Sequence, residues 1–122
     1  MSTICIVDEN KSECASMADM LGPLDIQIYK FYNGEDFLSQ AKAINPDCLI
    51  SEAELPDMTG LDLIEKLDNQ AIRMPIVIVS HTQNIRLAVD IIKAGAVDFI
   101  HKSRYKIYLP VRIKHILMDM ES

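Results

Sequence analysis

Five short apolar runs recur along this chain, and each is followed by a longer segment in which apolar residues return every three or four positions. The runs predict strands at residues 3–7, 26–32, 47–51, 75–80 and 96–101. Several are apolar almost throughout, which is typical of strands buried on both faces of a parallel sheet. In the run at 26–32, apolar and polar residues alternate instead, and this pattern also predicts a strand.

Helix start and stop signals lie between these runs. Asn10 can cap a first helix, with Glu13 three residues later completing a variant of the capping box, and Thr59 with Asp62 marks another helix start. Gly95 is placed to end a helix in the left-handed conformation. Helices are predicted at residues 11–21, 35–44, 60–69 and 84–94.

The last segment, residues 105–120, is amphipathic but contains Pro110. Proline has no N–H to donate inside a helix, so this helix either begins near Pro110 or is kinked there. Five strands that alternate with five helices predict an α/β fold, with a parallel sheet between helices joined by right-handed crossovers. We expect one domain over residues 1–122.

The composition is that of a folded domain. The chain has 122 residues, of which 49% are hydrophobic and 25% charged, so it is neither disordered nor fibrous. No apolar run approaches the roughly 20 residues that a membrane helix needs, and the first residues lack the basic start of a signal peptide. These features favour the cytoplasm. Cys5, Cys14 and Cys48 match no metal motif and are expected to be free, buried thiols.

The net charge of −6 is distributed unevenly along the chain. Residues 1–70 hold 14 Asp or Glu and 4 Lys or Arg, whereas residues 71–122 hold 4 and 8. The acidic total disfavours general nucleic-acid binding. A basic C-terminal surface suits an acidic partner or a second copy of the chain.

Chemistry-bearing side chains stand where four of the predicted strands end. They are Asp8, Glu9, Glu52, Ser80 and Lys102. In an open parallel sheet, ligands gather at the carboxyl ends of the strands, so we expect these side chains at one edge. Carboxylate oxygens suit Mg²⁺, while a hydroxyl and an ammonium suit phosphate oxygens. The set predicts a site for a hard cation and a phosphoryl group.

Four motifs together cover essentially the whole chain. They are Ile6-Val-Asp8-Glu9-Asn10, Pro46-Asp-x4-Glu52-x3-Pro56-x3-Gly60, Pro75-x-Val-Ile-Val-Ser80 and Ala94-Gly-Ala-x-Asp-Phe-Ile-x-Lys102. The chain resembles the receiver domain of response regulators, the flavodoxin-like module of two-component signalling. This resemblance implies a doubly wound (βα)5 fold with a parallel five-stranded sheet in the order 2-1-3-4-5.

By this resemblance, Glu52 stands at the phospho-acceptor position, where the family has aspartate. In-line transfer depends on near-attack geometry, and a misplacement of about 1 Å can cost about 10²-fold. The extra methylene also carries the carboxylate toward Ser80, the implied switch hydroxyl, and Lys102, the implied phosphate-pairing lysine. Glu52 is therefore predicted to imitate the phosphorylated state and to form an ion pair with Lys102. Phe99 is the implied switch aromatic.

By the same resemblance, Asp8 and Glu9 stand at the acidic pair that holds the metal. Glu52 and the backbone carbonyl of Glu54 would be further ligands. The family usually has aspartate where this chain has Glu9, and Mg²⁺ demands near-ideal octahedral geometry. Mg²⁺ is thus expected to bind only weakly, if at all.

Further positions differ from the family pattern. His81 replaces a small residue that leaves room for the phosphoryl group, and its imidazole is predicted to fill that space rather than bind a metal. Ser103 replaces a proline that follows a cis peptide bond. We expect a trans bond here, because cis costs about 3–4 kcal/mol before any other residue. The remaining carboxylate, Asp57, is expected to be solvated in a turn.

In the receiver family, the surface of the fourth helix, the fifth strand and the last helix is the usual site of self-association or effector contact. Basic residues of this chain fall on or beside those elements: Arg86, Lys93, Arg104, Arg112 and Lys114. We expect this surface to bind a protein partner or a second copy. A histidine kinase is a candidate partner. No membrane is implied, and nucleic acid only through an effector domain outside this sequence.

These features favour an atypical receiver that signals without phosphorylation and is not an enzyme. The alternative is an active receiver that accepts a phosphoryl group from a histidine kinase with Mg²⁺. A third hypothesis, an unrelated flavodoxin-like binder of a small ligand, has no Gly-rich phosphate loop in its favour.

Overall fold

The fold is a five-stranded parallel sheet between two layers of helices. The computed structural model describes the backbone of residues 1–121 and the side chains of residues 1–120. In chain order the elements are β1 (Ser2–Val7), α1 (Lys11–Leu21), β2 (Ile26–Phe31), α2 (Gly34–Ile44), β3 (Cys48–Ser51), α3 (Gly60–Asn69), β4 (Ile76–Ser80), α4 (Ile85–Lys93), β5 (Asp98–His101) and α5 (Tyr105–Glu121).

The strands lie in the order β2-β1-β3-β4-β5, and each neighbouring pair is parallel. This confirms the predicted fold and strand order, and each predicted element ends within two residues of the observed one. Gly95 follows α4 with a φ of 120°, in the left-handed region predicted for it. Within residues 1–121, no helix is long and apolar enough to cross a membrane.

Side chains alternate between the two faces of the sheet and form one core on each face. On β1, Ile4 and Ile6 belong to the core under α1 and α5, whereas Cys5 and Val7 belong to the core under α2, α3 and α4. The central strands β3 and β4 are buried at every position. Polar side chains are therefore confined to the ends of these strands.

The three cysteines are free and buried, as predicted. Burial raises the pKa of Cys5 and Cys48 to about 12 and that of Cys14 to about 11. The thiolate is the reactive form of cysteine, so none of the three is a nucleophile near neutral pH.

Helix α5 begins at Tyr105 and holds Pro110 in its interior, so the alternative in which it begins near Pro110 is wrong. Pro110 lacks the N–H that an interior residue donates, a defect of about 3 kcal/mol or more. Tyr105, Leu109 and Ile113 are buried at intervals of four residues against the sheet. Packing of this face outweighs the defect, as tertiary contacts commonly do in protein helices.

Helix α1 is capped by Asn10, whose side chain accepts the N–H of Glu13 at 3.0 Å. The predicted return of the Glu13 carboxylate to Asn10 is wrong. Instead, Glu13 Oε2 accepts the hydroxyl of Tyr105 at 2.8 Å and ties α1 to α5. Helix α3 has the complete capping box between Thr59 and Asp62.

The loop after β3 is fastened to the start of α2 by Asp57. Its two carboxylate oxygens accept the N–H groups of Gly34 and Glu35, each at 2.9 Å. Met58 packs so closely over Gly34 that a Cβ there would collide with its sulfur. Desolvation raises the pKa of Asp57, but the two N–H donors outweigh it and hold the pKa below its ordinary value. Asp57 is exposed, as predicted, but its two hydrogen bonds to the start of α2 were not foreseen.

We expect Asp57→Ala to lower the free energy of unfolding by about 0.5–2 kcal/mol at neutral pH, because two N–H groups of α2 lose their acceptor. The fold lowers the pKa of Asp57, so this contribution is present above the ordinary carboxyl pKa of about 3.9. It is lost as the pH falls through the lower folded value. Urea unfolding at neutral and acid pH measures both effects.

The control for this measurement is Asp25→Ala, which removes an exposed carboxylate just before β2, at the opposite end of the sheet. Equal losses of stability for the two variants at neutral pH would contradict the capping role of Asp57.

Candidate functional site

The predicted strand-end residues meet at one edge of the sheet. Backbone hydrogen bonds continue the strand ladders beyond their ends: Glu52 N–H donates to Val7 at 3.0 Å, and Lys102 N–H donates to Ser80 at 2.8 Å. These bonds fix the backbone from which the side chains of Glu52 and Lys102 project. Asp8, directly after β1, is the third polar side chain at this edge.

The ammonium of Lys102 lies between two carboxylates. Its Nζ is 2.7 Å from Asp8 Oδ2 and 3.0 Å from Glu52 Oε2. The side chains are nearly buried, with exposed fractions of 4% for Lys102, 2% for Asp8 and 11% for Glu52. The predicted Glu52–Lys102 ion pair is confirmed. Sequence reasoning missed the shorter contact to Asp8, which it had assigned only to metal binding.

The second oxygen of each carboxylate is also engaged. Asp8 Oδ1 accepts the N–H of Asn10 at 2.9 Å, and Glu52 Oε1 accepts the N–H of Ala53 at 2.7 Å. Burial by itself lowers the pKa of Lys102, but the hydrogen bonds and charges of Asp8 and Glu52 outweigh it and raise the pKa above its ordinary value. The lysine is therefore charged at neutral pH.

Ser80 is buried at the end of β4 but forms no hydrogen bond with Glu52. Its Oγ accepts the N–H of Thr82 at 3.0 Å, within its own loop. The predicted approach of the Glu52 charge to Lys102 is thus confirmed, whereas no hydrogen bond joins Glu52 to Ser80. The reason is that Glu52 Oε1 turns toward the backbone of the next residue instead.

The donor set at this edge does not fit a bound Mg²⁺. The side chain of Glu9 is exposed, and Glu54 is exposed in the following loop. Asp8 and Glu52 already use both oxygens on Lys102 and on backbone N–H groups. Among residues 1–120, no group of three or more acidic, His or Cys side chains could hold a metal ion. Receiver domains typically bind Mg²⁺ at the phosphorylation site, whereas here Lys102 contacts one oxygen of each of the two buried carboxylates.

His81 lies at the rim of the site, and its side chain is 66% exposed. Its Nε2 is 3.8 Å from Glu13 Oε1, and its ring meets the ring of His101 edge to face at 6.0 Å. The prediction that His81 fills the phosphate space is wrong, because the imidazole turns outward to these neighbours. The contact between His81 and His101 was not predicted, since His81 directly follows β4, whereas His101 is the last residue of β5, 20 positions later.

The loop after Lys102 is closed by Ser103. Its N–H donates to His101 Nδ1 at 3.2 Å, and its Oγ lies 2.9 Å from the same nitrogen. No peptide bond in the described part of the chain is cis, which confirms the trans bond predicted before Ser103.

The surface of α4, β5 and α5 carries two adjoining grooves that share Phe99 and His101 as a common wall. One, of about 610 Å³, lies between α4 and β5, and the other, of about 380 Å³, lies between β5 and α5. The implied switch aromatic, Phe99, is partly buried and packs against the core under α4. Both grooves therefore border β5, the strand that Lys102 directly follows.

Of the basic residues predicted on this surface, Lys93, Arg104 and Arg112 line its two grooves. Lys114 lies instead on the side of α5 that faces Asp25 and Ile26. Two of the predicted residues are paired within the chain. Arg86 contacts Asp90 at 3.5 Å and Arg112 contacts Asp98 at 3.3 Å. Lys93, Arg104 and Lys114 are exposed.

Sequence reasoning missed the apolar character of the same surface. Large hydrophobic side chains are exposed on its two helices: Ile85, Val89, Ile92, Ile107, Tyr108 and Val111. Spacings of four and three residues between the apolar positions 85, 89 and 92 were visible in the sequence, but no face of this helix was predicted from them. In fact Ile91 is the one residue of α4 that is fully buried.

Comparison with known proteins agrees with this geometry. The family model of the response regulator receiver domain matches residues 4–114. The chain is 32% identical over 101 residues to the response regulator protein TmoT of Ectopseudomonas mendocina, covering 83% of this chain and 46% of that protein. It is 32% identical over 100 residues to the transcriptional regulatory protein FixJ of Rhizobium meliloti, covering 82% and 49%. The chain spans about half the length of these relatives.

Among solved structures, a response regulator receiver protein from Pseudoalteromonas atlantica superposes with a TM-score of 0.89 at 29% identity, covering 97% of this chain and 98% of that one. A two-component response regulator from Clostridium difficile gives a TM-score of 0.90 at 25% identity and covers 100% of both chains. Sheet order, strand-end residues and both kinds of likeness lead to one conclusion. The chain belongs to the response regulator receiver domain family of two-component signalling.

Proposed function

We propose that this chain is a receiver that works without phosphorylation and acts as a protein interaction module in the cytoplasm, not as an enzyme. The observation that carries the proposal is the buried position of Lys102 between Asp8 and Glu52. The chain's own carboxylate holds the lysine that would otherwise meet a phosphoryl group. The signalling state of the domain is then set by the side chain of Glu52 and not by phosphorylation.

Glu52 is poorly suited to accept a phosphoryl group for two reasons. Its carboxylate is displaced by one methylene from the position of an aspartate, and transfer is sensitive to about 1 Å in the attacking atom. Both of its oxygens are also engaged, one by the Lys102 ammonium and one by the N–H of Ala53. An attacking oxygen would have to give up one of these partners.

Two donors hold the Glu52 carboxylate, and they support the proposal that it partly imitates a phosphoryl group. An anion at this position is recognised by an ammonium and a backbone N–H, the kinds of donor that bind phosphoryl oxygens. Ser80 takes no part in this recognition, because its Oγ accepts from Thr82. The imitation therefore reaches Lys102 and β5 directly, and β4 only through the backbone bond from Lys102 to Ser80.

The output surface in this proposal is the face of α4, β5 and α5. Exposed apolar side chains such as Ile85, Val89 and Val111 would be shielded from water by a protein partner or a second copy. Exposed basic side chains, Lys93 and Arg104, would favour an acidic partner. Any contact with nucleic acid would require a further domain. A relative such as FixJ is long enough to contain one, because the match covers only 49% of that protein.

The alternative is an active receiver that takes a phosphoryl group from a histidine kinase with Mg²⁺. Its strongest support is membership of the receiver family. Phosphorylation would require Lys102 to leave Asp8 so that a metal could bind there. Direct chemical phosphorylation separates the two functions.

The Lys102→Met variant should lose about 3–5 kcal/mol of unfolding free energy, because two buried carboxylates are left facing each other without a cation. Glu52→Gln should lose only about 1 kcal/mol, since Lys102 keeps Asp8 as its partner. Urea unfolding measures both. Lys66→Met, which alters an exposed lysine of α3, is the matched control. A Lys102→Met loss no larger than that of the control would contradict the ion-pair lock.

The contribution of Lys102 should also depend on pH at the alkaline end. The fold raises the pKa of Lys102, so its contribution is fully present below the ordinary lysine pKa of about 10.4 and is lost as the pH rises through the higher folded value. The stability gap between the unaltered chain and Lys102→Met should stay constant from neutral pH to about pH 10 and shrink above it. A gap that narrows near neutral pH would argue against a charged, paired lysine.

Treatment of the purified chain with acetyl phosphate and Mg²⁺ should leave its intact mass unchanged, because Glu52 is displaced and both its oxygens are engaged. Beryllofluoride with Mg²⁺ should leave the melting temperature unchanged for the same reason. Mass spectrometry and thermal unfolding are the measurements.

A receiver with an aspartate acceptor, treated in parallel, shows that the phosphodonor is active. An acyl phosphate on residue 52 of the unaltered chain would reject the proposal in favour of the active receiver. The Glu52→Asp variant locates the block: modification of this variant assigns it to residue 52 alone. If the Glu52→Asp variant also stays unmodified, part of the block is assigned to Glu9 and Ser103.

A further inference from the structure

A second concave site lies between β5 and α5, apart from the carboxylates at the strand ends. Its volume is about 380 Å³, within the range of pockets that take small molecules. Six of its lining side chains are aromatic or basic: Phe99, His101, Arg104, Tyr108, Arg112 and His115.

The pocket is cationic. Two guanidinium groups, Arg104 and Arg112, and two imidazoles line it against a single carboxylate, Asp98. That carboxylate is already satisfied: its Oδ1 accepts the N–H of Phe99 at 2.8 Å, and its Oδ2 lies 3.3 Å from Arg112 Nε. Its negative charge is balanced by Arg112, so the positive charge of Arg104 remains to attract an anion.

Arg112 is held in place before any ligand binds. Its side chain is 35% exposed, and Asp98 fixes it from the side of Nε. A guanidinium carries five N–H donors in a fixed fork, so an arginine anchored through Nε retains terminal NH₂ groups for a phosphate or carboxylate. Pre-organisation of this kind reduces the entropy lost on binding. Arg104 forms no ion pair with any described residue and adds a second, exposed guanidinium.

The pocket also offers flat apolar surface. Tyr108 is 51% exposed and stands on the first turns of α5, while Phe99 is partly buried on β5. Rings of this kind bind another aromatic group by stacking or edge-to-face contact, worth about 0.5–1.5 kcal/mol beyond the area buried. Aromatic surface and anchored cation lie in one cavity of small-molecule size.

We propose that this pocket binds a small ligand made of an aromatic ring that carries a phosphate or carboxylate group. The anionic group pairs with Arg112 and Arg104, and the ring contacts Tyr108 and Phe99. The inference goes beyond the proposed function and does not depend on Glu52. Its occupant would nevertheless contact Phe99 and His101 on β5, the strand that Lys102 directly follows.

Titration of the isotope-labelled chain with adenosine monophosphate and, separately, with 4-hydroxybenzoate tests this site and distinguishes a phosphate from a carboxylate ligand. We expect saturable amide shifts confined to β5 and the first half of α5 for at least one probe. The binding probe should bind at least about tenfold more tightly than its uncharged counterpart, adenosine or phenol, and than inorganic phosphate or acetate alone.

Variants assign the binding to this pocket. Arg112→Gln should weaken the binding probe at least about tenfold, and Arg104→Gln, which disturbs no ion pair, should weaken it by a smaller factor. Arg73→Gln is the matched control, because Arg73 is exposed and pairs with Asp68 away from the pocket. Its affinity should be unchanged. Circular dichroism of each variant checks that the fold is retained.

Three results would overturn the proposal. They are the absence of saturable binding for both probes, affinity that neither Arg112→Gln nor Arg104→Gln reduces, and shifts centred on another part of the chain. The first would leave the pocket as a place for an acidic side chain of a docked protein. None of the three bears on Glu52, because phosphorylation and ion-pair stability are measured without a probe.

Discussion

A buried ammonium must have anions around it, and Lys102 meets that requirement with two. Its side chain crosses the ends of β4 and β3 to reach Asp8 beyond β1, and it meets Glu52 on the way. One ammonium cannot neutralise two carboxylates, so the remaining negative charge on them is stabilised by hydrogen bonds from the backbone N–H groups of Asn10 and Ala53. Each polar atom has a partner, and among the described side chains no buried nitrogen or oxygen lacks one. A cation or a phosphoryl group could enter only by displacing partners that are already well placed.

The same lysine connects the strand-end site to the outer surface. Lys102 directly follows β5, and the side chains of Phe99 and His101 on that strand separate the two grooves of the α4, β5 and α5 face. A fixed lysine therefore means a fixed end for β5. The two grooves differ in chemistry: one is bordered by the exposed apolar side chains of α4, the other by arginines and imidazoles. Different occupants would act on the two sides of one strand.

The sequence determined the order and type of the elements. An apolar run such as residues 75–80 has apolar side chains on both faces of the strand. Both faces must then be shielded from water, so a parallel sheet covered by helices on both sides follows from the pattern. Local capping signals such as Asn10 and Thr59 were readable because their hydrogen bonds span only three residues. Placement of Glu52 and Lys102 at one edge followed from parallel strands alone, and their ion pair followed from complementary charge.

Only the tertiary structure decided which partners the polar groups chose. Asp8 and Lys102 are 94 positions apart, and nothing local shows that the lysine would be closer to Asp8 than to Glu52. Asp57 is exposed, as expected, but it also accepts the N–H groups of Gly34 and Glu35, 23 and 22 residues earlier. Glu13 accepts the hydroxyl of Tyr105 instead of completing the predicted cap. Each of these groups had several donors within reach once the chain was folded. The pattern of a sequence fixes which face of an element is buried, whereas competition among polar groups brought together by folding is settled by distance and direction in three dimensions.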